Sequence, residues 1–199
     1  MSEKENKPWD ESNVRMAVYH ACGKQLGLSP LHGRDAIICP HCRQPVVPFE
    51  SGRPDLLVMN RYGYQAVIEV KIIRQHLNEI SFAFANHKEN QIKWLNWWTT
   101  VTEEETMFHY QPLGFLAIGT SVDRDIWVIE WKAWNELIVG PATTLGRKSV
   151  SITTLDAKMD AYKMLKVKGG YAFKAEHPMW GLLSDISLFY KVNGEKKEE

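Results

Sequence analysis

The chain has 199 residues, and its 24 Lys+Arg are balanced by 24 Asp+Glu, so the formal net charge is zero. That length fits one domain, or one domain with a small appendage, and 44% hydrophobic with 24% charged residues excludes a wholly disordered, collagen-like or coiled-coil chain. No run approaches the roughly 20 apolar residues of a membrane span, so no membrane partner is expected.

Residues 1–8 read as a disordered lead, polar and acidic rather than a secretory leader. A single domain is expected over 9–190, with a candidate zinc-binding loop at 28–44 and C-terminal decoration at 140–190, and 191–199 form a charged tail. Residues 10–27 read as a helix, with Asp10 or Ser12 as its cap and Val14, Ala17, Val18, Ala21 and Cys22 at helical spacing. Residues 28–44 are rich in Pro, Gly, Cys and His and read as an irregular loop. Residues 55–60 (DLLVMN) and 65–73 (QAVIEVKII) read as two strands joined through Arg61-Tyr62-Gly63. A second helix is predicted over 84–101, strands over 114–119 and 126–130, and a further helix over 154–166. The order predicts an α/β or α+β fold with a mixed sheet.

The anomaly is Val67-Ile68-Glu69-Val70-Lys71-Ile72-Ile73. So apolar a run belongs to a central strand covered on both faces, where an unpartnered charge is costly. Glu69 and Lys71 share one face, and Val70 points to the other. With a three-residue loop Asp55 lies opposite Glu69; with a two-residue loop it lies opposite Val70. Directly opposed acids repel. A divalent cation between them makes the arrangement reasonable, because Mg²⁺ takes one or two carboxylates plus waters and a substrate phosphate. The alternative is a partly buried Lys–Glu pair, with Asp55 merely starting the strand.

Gly52-Arg53-Pro54-Asp55, an apolar strand, a short turn and Ile68-Glu69-Val70-Lys71 together resemble the PD-(D/E)xK nuclease motif. The resemblance covers about residues 50–130. It implies a restriction-endonuclease-like core, a central mixed sheet flanked by helices. It also implies Asp55, Glu69 and the backbone carbonyl of Val70 as ligands of Mg²⁺ or Mn²⁺, with Lys71 assisting the attacking water. Many branch-cutting members carry a Gln-x-x-x-Leu on the helix after the motif. Gln91-Ile92-Lys93-Trp94-Leu95 fits it, and most resembles Holliday-junction-resolvase-type and phage recombination nucleases. Some members add an acid from the first helix, and Glu11 matches that place.

Three cysteines, two of them in Cys39-Pro40-His41-Cys42, suggest a reducing compartment and a metal or thiol site rather than a disulfide framework. Cytoplasmic location follows as the expectation, in a prokaryotic cell or a phage-infected host. Structural zinc wants four ligands. Cys22, Cys39, Cys42 and either His20 or His32 would supply them, whereas His41 lies between Cys39 and Cys42. The alternative buries Cys22 as a small hydrophobe. His76, His87, His109 and His177 show no metal spacing.

Between 147 and 174, Arg147, Lys148, Lys158, Lys163, Lys166, Lys168 and Lys174 face only Asp156 and Asp160. Arg147, Lys148, Lys163, Lys166 and Lys168 are the candidate nucleic-acid contacts; the alternative is a solvated helix and loop. Trp94, Trp97 and Trp98 share one helical face, suited to core or dimer packing or to stacking on bases. The resemblance implies a Mg²⁺-dependent nuclease hydrolysing DNA phosphodiesters. Branched DNA of recombination and repair is the preferred substrate, and a homodimer suits it. The rival expectations are a non-catalytic nucleic-acid- or protein-binding module on the same fold, and an RNA-directed nuclease.

Overall fold

The computed structural model describes residues 9–32, 54–59, 65–73, 81–83, 89–100, 113–139 and 149–180. Helix α1 (Glu11–Leu26) starts at a capping box, in which Asp10 accepts from the Asn13 N–H at 3.1 Å and the Asn13 side chain accepts from the Asp10 N–H at 2.9 Å. It stops at Gly27, whose φ of 62° is the left-handed cap that glycine takes without strain.

A five-stranded sheet follows, in the order β1 (Ser29–His32), β2 (Leu56–Met59), β3 (Gln65–Ile73), β5 (Leu113–Thr120) and β6 (Ile126–Glu130). All pairs are antiparallel except β3 with β5, so the sheet is mixed as expected. The expected irregular loop at 28–44 is corrected at its start. Ser29–His32 pairs with the free side of β2, and Pro30 is tolerated because β1 is an edge strand.

Period two divides the sheet residues between two cores. Ala66, Ile68, Val70, Phe115, Ala117, Ile126 and Val128 pack against Val14, Val18 and Cys22 of α1. Val67, Leu116, Ile118, Trp127 and Ile129 pack against Leu95 of α2 (Glu89–Thr100) and against Trp131 and Trp134 of α3 (Trp131–Val139). Trp131 Nε1 donates to Asn96 Oδ1 at 2.8 Å and ties α3 to α2. The close approach of α1 depends on Gly119, where a Cβ would lie 2.2 Å from Val14 Cγ2. Strand β4 (Ser81–Ala83) pairs with β7 (Ser149–Ser151) in a separate ribbon.

The helix expected over 154–166 is shorter. Helix α4 (Ile152–Lys158) ends there, a 3-10 turn covers Asp160–Tyr162, and the chain then turns extended into the hairpin β8 (Leu165–Val167) and β9 (Gly170–Ala172). The reason is tertiary. Met164 N–H donates to the Ile126 carbonyl at 2.8 Å, and Lys163 forms a bridge to Trp127, so this segment covers the outer edge of β6. Farther on, His177 Nε2 lies 2.8 Å from the Val128 carbonyl while its Nδ1 accepts from the Met179 N–H at 3.0 Å. Nε2 therefore carries the proton and the buried ring is neutral. Burial pushes its pKa down to about 4. On the other side, Gln25 clamps the Phe173 backbone, donating to its carbonyl at 2.8 Å and accepting from its N–H at 2.6 Å.

Candidate active site

Strand β3 is central, with β2 and β5 on its two sides, and its apolar run buries it on both faces. Within it Glu69 is fully buried. The register pairs Leu56 with Ile68, so the next step along the ladder places Asp55 opposite Glu69, the three-residue-loop arrangement. Strand β2 has ended there. The Asp55 carboxylate takes over from the ladder, its Oδ2 accepting the Val70 N–H at 2.9 Å. Val70 thus enters through its N–H, which fixes Asp55; this is separate from the carbonyl role the resemblance implies.

Lys71 and Gln91 both donate to Glu69 Oε1. The Lys71 ammonium is mostly buried, and α2 carries Gln91 to the strand in its first turn. The other oxygen, Glu69 Oε2, is buried without a hydrogen-bond partner. Burial first, and then the Asp55 charge, push Glu69 up to about 8 against the opposing pull of Lys71, with Glu11 adding a smaller push. Helix α1 contributes Arg15 as well, whose Nη1 lies 3.8 Å from Asp55 Oδ1. The structure therefore brings Asp55, Glu69, Lys71 and Gln91 together, with Glu11 and Arg15 beside them.

An orphaned buried carboxylate oxygen facing a second acid is what a hard cation relieves, and oxygen is the ligand type Mg²⁺ takes. Among the described residues no group of three His, Cys, Asp or Glu is placed to hold an ion with side chains alone. The residues present fit a cation that keeps waters or substrate oxygens in its remaining positions. Asp55 and Glu69 are the side chains that would hold it.

The candidate zinc ligands fare differently. Cys22 is fully buried in the α1 core, and burial pushes its thiol up to about 12, the small-hydrophobe alternative. His20, two residues away, is exposed. The His32 backbone ends β1, while Cys39, His41 and Cys42 lie outside the described residues. So do Arg147, Lys148, His76, His87 and His109, and the side chains of Trp94, Trp97 and Trp98.

Much of the basic segment is paired within the chain. Lys163 reaches Asp125 at 2.9 Å and Asp156 at 2.7 Å, Lys166 reaches Asp125 at 2.6 Å, and Lys174 reaches Asp160 at 2.6 Å. Lys163 also lies 4.8 Å over the Trp127 ring. Lys168 is exposed at the hairpin turn. Lys163 and Lys166 therefore hold the C-terminal segment to the β5–β6 turn, and Lys174 braces that segment internally.

Sequence reasoning missed Arg15. Its signal was its place four residues after Glu11, on the same helical face. No protein-family model matches this chain, and no curated protein matches it significantly in sequence.

Proposed function

We propose that the protein is a Mg²⁺-dependent nuclease that hydrolyses DNA phosphodiester bonds, built on a PD-(D/E)xK-type, restriction-endonuclease-like core. The observation that carries the reading is the buried Glu69 carboxylate, opposed by Asp55, contacted by Lys71 and Gln91, and left with one oxygen unpartnered. A structural ion pair needs neither the second acid nor the open oxygen.

Asp55 and Glu69 would hold a divalent cation, which would supply Lewis-acid polarisation of the phosphate and activation of a water. The chain's own residues do the positioning. The Val70 N–H holds the Asp55 carboxylate, and Gln91 holds that of Glu69. Lys71 carries its ammonium to the same carboxylate and has further N–H donors for developing oxyanion charge. The two-sided burial of β3 shields Glu69 from bulk water and strengthens its interactions with Lys71 and Gln91. Branched DNA is the preferred substrate and a two-fold dimer the preferred assembly, both on the likeness of Gln91-Ile92-Lys93-Trp94-Leu95 to the junction-cutting pattern.

The test is cleavage of labelled four-way-junction, flap and linear duplex DNA, with Mg²⁺ and with EDTA, by wild type and Glu69→Gln. Mg²⁺-dependent cutting that Glu69→Gln abolishes is the expected result. A folded wild type that binds DNA and cuts none of these overturns the enzyme and leaves a binding module. Cutting of the matching RNA alone would redirect the substrate.

A further inference from the structure

We propose that Arg15 is a phosphate-binding residue, its guanidinium taking a backbone phosphate of the nucleic-acid substrate beside the two acids; this rests on the nuclease reading above. Arg15 sits in the second turn of α1, four residues after Glu11. Its position is set by the tight seating of neighbouring Val14 on Gly119, so the side chain is delivered by a rigid element rather than a loop.

Arg15 is held near Asp55 without being saturated by it. The 3.8 Å separation exceeds a hydrogen bond, which for N–H···O spans about 2.7–3.2 Å. The Asp55 carboxylate already accepts the Val70 N–H. Arg15 Nε is buried with no hydrogen-bond partner. A residue serving only as counter-ion to Asp55 would close to a bidentate pair, the strong geometry open to Arg and carboxylate. Here the fork stays open, with 29% of the side chain exposed to an arriving group.

Charge counting leads to the same ligand. Among the described residues the acids Asp55 and Glu69 are matched by the cations Lys71 and Arg15, so a bound divalent cation would leave the site with excess positive charge, which a phosphodiester offsets. A planar guanidinium also matches two phosphate oxygens at once, which an ammonium does not.

The experiment measures binding of a fluorescent DNA duplex by anisotropy in EDTA and in Ca²⁺, across a salt series, for wild type, Arg15→Gln and Arg15→Lys. Mg²⁺ cleavage is run alongside. Arg15→Gln is expected to weaken binding roughly 10- to 100-fold and to lower the salt slope by about one, the signature of one lost phosphate contact. Arg15→Lys recovers the slope but only part of the affinity. Walking a neutral methylphosphonate along the DNA should locate one phosphate whose neutralisation weakens wild type and leaves Arg15→Gln unchanged.

A wild type that binds and cuts DNA, matched by a folded Arg15→Gln in Kd, KM and salt slope, overturns the proposal and leaves the nuclease standing. A wild type that neither binds nor cuts removes both. Should Arg15→Gln not fold, Arg15→Lys carries the test, and a Kd equal to that of wild type across the salt series overturns the proposal.

Discussion

Replacing Glu69 with Gln should make the metal-free protein more stable, and increasingly so as pH rises. A carboxyl moved from 4.5 to about 8 by burial and by Asp55 binds its proton in the folded state across a range where the unfolded chain has released it. Stability therefore falls as pH rises through that window and is flat above it. At about 1.4 kcal/mol per tenfold, the full displacement corresponds to roughly 3–5 kcal/mol. About 2 kcal/mol of it lies between pH 6.5 and 8. His177 titrates oppositely, mainly below about 7, and does so equally in wild type and variant, so the difference between the two isolates Glu69. The assay is urea unfolding in EDTA at pH 6.5, 7.2 and 8.5, for wild type and Glu69→Gln. Wild type should lose stability over this range while the variant stays level, and Mg²⁺ should restore wild type alone. A wild-type loss below about 0.5 kcal/mol, or an equal slope in the variant, would refute a Glu69 kept protonated by burial and by a facing acid.

Gly119→Ala places a methyl inside Val14 and should cost about 1–3 kcal/mol by overpacking; because α1 must then lift, DNA affinity should fall with Tm. His177→Phe leaves the Val128 carbonyl and the Met179 N–H unpaired, so roughly 2–4 kcal/mol should be lost in urea unfolding at pH 7. The same variant should lack the wild-type loss of stability as pH falls from 6.5 toward about 4, since the folded state there binds fewer protons than the unfolded. Gln25→Ala removes both bonds to the Phe173 backbone, and amide exchange along β9 should accelerate while α2 is unaffected, at a cost of about 1–3 kcal/mol.

Periodicity and composition were enough for α1, β2, β3, β5 and β6, because each element's side-chain spacing reports which faces will be buried. The helix α3 had no expectation attached, although Trp131 and Trp134 recur three apart and are both buried. The place of Trp131 depended on a neighbour, Asn96 of α2, that no local window contains. The segment 159–166 was misread for a related reason. Its residues suit a helix, but the unpaired edge of β6 offered backbone partners, and satisfying them outweighs a few tenths of a kcal/mol of propensity per residue.

For the site, the sequence by itself determined that Glu69 and Lys71 share one face of a buried strand and that Asp55 lies within a residue of facing them. Alternation along a strand and the length of the joining turn allow nothing else. Only the tertiary structure decided that Gln91 of α2 reaches Glu69, that Glu69 Oε2 is left without a partner, and that Arg15 stands open beside Asp55. Those facts depend on how closely α1 and α2 approach the sheet. That distance is set by side chains such as Gly119 and Val14, far apart in the chain and in contact only once it has folded.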